Sequence, residues 1–299
     1  ALDLSSWRAA GIGGDMVRAE VLEDFARTFA PVGFRKSAFV PSYGMAEATL
    51  AVTFAPLEEE FRTDPIDLDA LADEGRAVPA DAADPHARAF VLCGPALPEH
   101  AISVRDAAGG ECAERVVGRI FISGPSVAEG YFENPEATAE QWLGDGWLDT
   151  GDLGYWLDGQ IVITGRSKDL IICNGRNIWP QDIEWAIEQL EGLRSGDVAA
   201  FSVDEEATEL PVVLVQCRLR DDTEREELRK TIGAAVRNAA GVDAQVVLVP
   251  HRSLPVTSSG KLSRQGARQR FLAGEFADGG PSGQRRVSRR ELGAGQPAE

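Results

Sequence analysis

Histidine is scarce in this chain, and the scarcity removes several chemistries at once. The 3 histidines, His86, His100 and His251, stand in proline-flanked or polar surroundings without metal-ligand spacing, which argues against a histidine-based triad or metal centre. Cysteine is little used. Cys93, Cys112, Cys173 and Cys217 lie far apart with no C-x-x-C pair, so neither a zinc site nor a disulfide framework is suggested and free thiols in a reducing cytoplasm are expected. No apolar run approaches the roughly 18 residues that a membrane span needs. The first residues, Ala1 to Trp7, have no basic segment, apolar core or initiating Met; no secretion signal is expected there, and the chain reads as cut from something longer. Positive charge is also short. Lys and Arg number 30 against 48 acidic residues, a net charge of −18, which repels nucleic acid and anionic lipid. The expectation is a soluble, cytoplasmic protein with no transmembrane segment and no nucleic-acid partner.

What is present is an ordinary globular composition, 43% hydrophobic and 26% charged, in a chain of 299 residues. That length exceeds one compact core, and two unequal domains are expected. Val17, Val21, Leu22, Phe25 and Phe29 recur at helical spacing and predict a helix over 18–30. A strand over 38–41 follows. From 58 to 88 the pattern dissolves into Asp, Ala and Pro, and a long loop is expected, with at most a weak helical turn at Leu68 and Leu71. Strand-like runs resume at 89–93, 101–105, 116–123 and 160–164 between glycine-rich turns, which suggests a small β-rich subdomain. Beyond Gly165 the rhythm becomes α+β: a strand at 170–173, a helix over 180–190, strands at 198–203 and 212–219, a helix over 223–240, a strand at 245–249 and a helix over 263–271. From Gly274 onward the Gly, Ser, Pro, Gln and Arg content predicts a flexible tail or linker.

Four segments carry chemistry. Ser42-Tyr43-Gly44-Met45-Ala46-Glu47 sets an aromatic ring and a carboxylate four residues apart across a glycine bend. A nucleotide site needs a flat surface for a purine and a hard oxygen ligand for Mg²⁺, and Tyr43 and Glu47 can supply them; a core tyrosine and a solvated glutamate would look the same. In Gly146-Trp147-Leu148-Asp149-Thr150-Gly151-Asp152-Leu153-Gly154, Asp152 sits between glycines where a backbone can approach a ligand. It suits the two hydroxyls of a ribose, and equally a turn or cap. Arg166, in Gly165-Arg166-Ser167-Lys168-Asp169-Leu170, offers a fork of donors for ribose or phosphate, and is followed by Asn174-Gly175-Arg176-Asn177. Lys168 and Asp169 read as linker charges, and Lys168 also as a hinge. Lys261 stands at the tip of Pro255-Val256-Thr257-Ser258-Ser259-Gly260-Lys261-Leu262. Pro255 and Leu262 occupy the places where a P-loop requires Gly and Ser or Thr, so this is no P-loop, and a solubilising surface lysine is the plain alternative.

Together and in order, these segments resemble the adenylate-forming superfamily of acyl-CoA synthetases, peptide-synthetase adenylation domains and luciferases, over residues 7–271. The resemblance implies an α/β and α+β protein: the end of a large N-terminal domain with a small β-rich subdomain (1–165), then a compact, mobile α+β C-terminal domain (166–273) and a tail (274–299). It implies that Gly13 and Gly14 line an adenine pocket, that Tyr43, with Gly44 beside it, stacks on adenine, and that Glu47 holds Mg²⁺. Asp152 would bind the ribose diol, Arg166 the ribose or phosphate, Lys168 would be the domain hinge and Lys261 the catalytic lysine. The implied reaction joins a carboxylate to the α-phosphate of ATP with loss of pyrophosphate, then transfers the acyl group to a pantetheine thiol. Tyr43 to Thr49, Gly165 to Ile172, Gly175-Arg176-Asn177 and the extended stretch 63–88 look most like the fatty acyl-AMP ligases. That subfamily carries an insertion near here and serves acyl carrier proteins of polyketide or peptide synthesis. The implied substrates are therefore a fatty acid and ATP with Mg²⁺, and the implied partner is a carrier protein or synthetase. An acyl-CoA synthetase and a non-catalytic carrier-docking module are the alternatives. Two departures stand out. Ala46 replaces a common phosphate-binding threonine, and no phosphate loop of the kind Thr-Ser-Gly-Thr-Thr-Gly followed by Pro-Lys-Gly occurs, so the chain is expected to begin midway through the large domain and to be inactive alone.

Overall fold

The computed structural model describes residues 2–205, 208–257 and 260–276. Its first layer is a small sheet in which β1 (Ala10–Ile12) runs parallel to β2 (Phe39–Tyr43), and β2 pairs antiparallel with β3 (Thr53–Phe54). The helix expected over 18–30 is α1 (Ala19–Phe29). Ala19, Leu22 and Ala26 form its buried side, which packs on Phe34, Phe39 and Phe61, and the rings of Phe25, Phe34 and Phe39 meet edge to face.

The stretch expected to be a loop from 58 to 88 is folded. β4 (Thr63–Asp67) pairs along its whole length with β5 (Ala87–Val91), and α2 (Leu68–Glu74) lies between them. The strand was hidden because one of its two inward positions is charged: Asp64 and Ile66 are both buried while their neighbours are not. Asp64 accepts a fork of two hydrogen bonds from Arg115 at 2.9 and 3.0 Å and a third from the Tyr155 hydroxyl at 2.7 Å, the pairing that a buried carboxylate requires. Asp67 caps α2 by accepting from the Ala70 amide, and Gly75, at φ 65°, ends it.

A four-stranded antiparallel sheet follows, in the order β6 (Ala101–Arg105), β7 (Gly118–Ser123), β8 (Leu148–Leu157), β9 (Gln160–Arg166), with α3 (Pro135–Gln141) before β8. β8 escaped the sequence reading because its glycines look like turn residues. They belong instead to irregularities in its pairing with both neighbours, the places where bulges re-aim side chains. A methyl at Gly154 would stand 2.2 Å from the Val162 carbonyl, so only glycine fits there.

The remaining elements are a short hairpin, β10 (Ile171–Cys173) with β11 (Arg176–Ile178), then α4 (Pro180–Glu188), β12 (Val198–Glu205), β13 (Thr208–Cys217), α5 (Asp222–Ala240), β14 (Gln245–Pro250) and α6 (Arg264–Leu272). β13 is the central strand, antiparallel to β12 and parallel to β14. Along β12, Val198 and Ala200 face one core with Ile183 and Ile187 of α4 and Ile232 and Val236 of α5, while Ala199, Phe201 and Val203 face another with Ala267 of α6. Period-2 strands and period-3.6 helices thus share two cores. Of the segment expected to be a tail from Gly274, Phe276 is buried in the second of these cores; the rest, 277–299, lies outside the described residues. Among the described residues no helix is long and apolar enough to cross a membrane.

Candidate functional site

A cavity of about 800 Å³ opens between the first sheet, the end of β9 and the loop before α6. Gly13, Gly14, Tyr43, Gly44, Asp152, Arg166 and Lys261 all line it, which gathers residues from four separated motifs onto one surface. Gly44 is dictated by space: a methyl there would lie 2.0 Å from the Leu50 carbonyl. Gly13 is likewise confined, 2.6 Å from the Ser42 carbonyl, so both glycines let two backbones meet at the cavity wall.

At the centre is a chain of three polar groups. The Tyr43 hydroxyl donates to Asp152 Oδ2 at 2.7 Å, and Arg166 Nε donates to Asp152 Oδ1 at 2.9 Å. Burial pushes the Asp152 carboxyl above its ordinary range, against the opposing pull of Arg166 and the Tyr43 hydroxyl. Burial and the Asp152 charge raise the Tyr43 hydroxyl well above its own, so it stays a donor. A carboxylate has about four lone-pair sites, which leaves Asp152 two for a ligand's hydroxyls.

Lys261 enters from the other side. Its Nζ donates to the Gly14 carbonyl, 247 residues away. Behind it Arg264 donates to both oxygens of Glu184, at 2.8 and 2.6 Å, and to Asp169 at 3.0 Å; this pairing ties α6 to α4 and to the turn after β9. Arg264 and Asp169 line the cavity too. Arg264 is silent in the sequence, because an arginine opening a helix carries no signal until its two carboxylates are seen together. Thr49 was also missed. It lines the cavity at φ 69° and ψ −56°, a positive-φ turn rare for a β-branched residue and of the kind that clusters at functional sites.

Two expected site residues lie apart. Glu47 is not in the cavity lining; its Oε1 accepts from the Tyr131 hydroxyl at 2.6 Å, and that hydroxyl, pushed up to about 12 mainly by burial, also meets Gln141 at 3.0 Å. Among the described residues no group of three or more His, Cys, Asp or Glu could hold a metal ion. A single carboxylate still fits Mg²⁺ of the kind held by one side chain, water and substrate phosphates. Lys168 is exposed in the turn that follows β9.

The fold and this cavity define a class: residues 1–132 match the AMP-binding enzyme family, and the chain belongs to the adenylate-forming, AMP-binding superfamily. Its relatives include a Caulobacter vibrioides protein provisionally named an acyl-CoA synthetase, 53% identical across 92% of this chain and 48% of that one. The medium-chain fatty acid–[acyl-carrier-protein] ligase JamA of Moorena producens is 38% identical across 91% and 48%. Among solved structures, one from a study of fatty acyl-adenylate ligases of E. coli and L. pneumophila superposes with a TM-score of 0.85 at 46% identity, covering 93% of this chain and 49% of that one. The chain thus spans about half the length of the relatives it matches, and over that half its several small sheets follow the acyl-adenylate ligase fold.

Proposed function

We propose that the chain is the nucleotide-gripping and lysine-bearing part of a fatty acyl-AMP ligase, which joins a fatty acid to the AMP moiety of ATP and passes the acyl group to a carrier-protein thiol. The observation that carries this reading is the meeting of Tyr43, Asp152, Arg166 and Lys261 around one cavity. In it, Asp152 accepts from the ribose hydroxyls, Arg166 holds that carboxylate and reaches the ribose or phosphate, and Tyr43 offers its ring to the base. The Lys261 ammonium faces the site where a carboxylate oxygen attacks the α-phosphate and pyrophosphate leaves; it lowers the barrier by neutralising charge shared between the two, a preorganised electrostatic effect. Glu47 would hold Mg²⁺ with the phosphates, and the metal would offset phosphate charge. Residues 1–165 are the end of the large domain, and 166–273 a mobile unit that turns about Lys168 to admit the thiol.

The kinship with a fatty acid–[acyl-carrier-protein] ligase supports the carrier as acceptor, whereas the provisional name of the Caulobacter relative favours an acyl-CoA synthetase as the second reading. The deciding experiment restores the polypeptide to the length of its relatives and supplies fatty acid, ATP and either CoA or a phosphopantetheinylated carrier. Fatty-acid-dependent ATP–pyrophosphate exchange with transfer to the carrier alone is expected; equal transfer to CoA selects the second reading, and no exchange overturns both. The 299-residue chain alone should show no exchange, because it holds no phosphate loop.

A further inference from the structure

One helix face beyond β9 is tied to the cavity wall by stacked side chains that the proposed chemistry does not use. On α4, Asp182, Trp185 and Glu188 fall at i, i+3 and i+6 and so share one side of the helix. Facing them are Arg88 of β5 and Arg18, which precedes α1. The Arg88 guanidinium lies 4.3 Å from the Phe90 ring centroid and 4.2 Å from that of Trp185. Arg18 lies 4.4 Å from Trp185. Each arginine is also paired on α4: Arg88 with Asp182, and Arg18 with Glu188 at 2.5 Å. All four charged side chains are less than one-fifth exposed, so water does not compete for these contacts as it does at an open surface.

We infer that the run Phe90, Arg88, Trp185, Arg18 is a latch that holds the unit beyond β9 against the cavity wall in the arrangement that sets Lys261 on Gly14, which makes Trp185 a positioning residue for Lys261. Trp179 supports the same docking close to the turn that bears Lys168, packed among Ile66, Leu71 and Phe90. The latch lies further along α4, so a rotation about that turn separates it while Trp179 is displaced least. Phe90 and Arg88 line the cavity as well, so whatever fills the cavity at that wall bears directly on the latch. The inference stands on this interface alone and holds whether or not the cavity takes a nucleotide.

The test is hydrogen exchange read by mass spectrometry on the 299-residue chain, with small-angle scattering beside it. Trp185→Leu keeps apolar bulk and loses the ring that both arginines face. It should speed exchange over residues 11–17, which flank the Lys261 contact at Gly14, by about fivefold or more, and enlarge the particle, while exchange in β12, β13 and β14 stays at the wild-type rate. Trp185→Phe keeps a ring and should restore both readouts. If Trp185→Leu also loosens β12 to β14, the double variant Asp182→Asn, Glu188→Gln decides, since it removes only the pairing. Wild-type exchange over 11–17 in a folded Trp185→Leu chain, or in that double variant where it decides, overturns the latch.

Discussion

Lys261 donates its Nζ to the carbonyl of Gly14 across the cavity, so the expected catalytic ammonium already reaches the opposite wall. A neutral carbonyl is a modest partner for a full charge. A ligand carboxylate or phosphate entering the cavity would draw the ammonium away from it. At the full length of the relatives, Lys261→Ala should slow acyl-AMP formation by on the order of a hundredfold, the scale of one lost transition-state contact. Transfer from preformed acyl-AMP should fall less. Single-turnover adenylation is the measurement, and an unchanged rate would leave Lys261 as a surface charge.

Asp152 predicts an acid limb in ligand binding. Burial has raised its carboxyl, so protonation begins at a higher pH than for an ordinary aspartate, and a protonated group loses acceptors for ribose. Nucleoside affinity should therefore fall as pH drops through that raised value. The Tyr43 hydroxyl bond holds the value down, so Tyr43→Phe should move the limb to still higher pH. For stability the sign is opposite: a raised carboxyl favours the fold below its ordinary value and loses that contribution as pH rises through the raised one. Calorimetric titration of adenosine monophosphate against pH measures the first, and a limb at the same pH in both proteins would refute the assignment.

The segment 63–88 offers a test of the proposed choice of acceptor thiol. Arg176 of β11 is paired with Asp69 at 2.5 Å and Asp73 at 2.7 Å of α2, and Asn177 donates to the Ala72 carbonyl at 3.2 Å. Shortening the segment would destroy β4, so the cleaner change is Asp69→Asn with Asp73→Asn. If α2 restrains the rotation that builds a CoA site, this variant at full length should form more acyl-CoA with adenylation retained. Unaltered rejection of CoA would place the discrimination elsewhere in the thiol path.

Asp64 is predicted to be a costly carboxylate to remove. Asp64→Ala leaves Arg115 with only the Ala77 carbonyl and takes the acceptor from the Tyr155 hydroxyl, whose own titration burial and Asp64 push upward. A loss of about 3 kcal/mol in unfolding free energy is expected, read by urea denaturation. Less than about 1 kcal/mol would mean that water replaces the carboxylate.

Beyond Gly165 every element but the short β11 is legible. α4, α5 and α6 carry apolar stripes, and β12 and β13, buried on both faces, read as apolar runs. β4 and β8 were not legible, for opposite reasons: β4 spends an inward position on Asp64, whose partners lie 51 and 91 residues away, and β8 is interrupted by glycines that belong to bulges. The site divides the same way. Tyr43, Asp152, Arg166 and Lys261 stood in recognisable motifs, while Arg264, Thr49 and the arginines around Trp185 acquire meaning only from what the fold sets beside them.

The reach from Gly14 to Lys261 also governs the order in which the molecule can assemble. Closing so long a loop costs entropy that grows with the logarithm of its length and is recovered only when the contacts it brings together form. The local hairpins and helices complete themselves first, and the cavity, whose walls come from opposite ends of that loop, is among the last features to exist. On this ground a newly synthesised chain should carry most of its secondary structure before the cavity closes. Ligands that grip both walls would then act as folding partners, favouring the final closure over every earlier state.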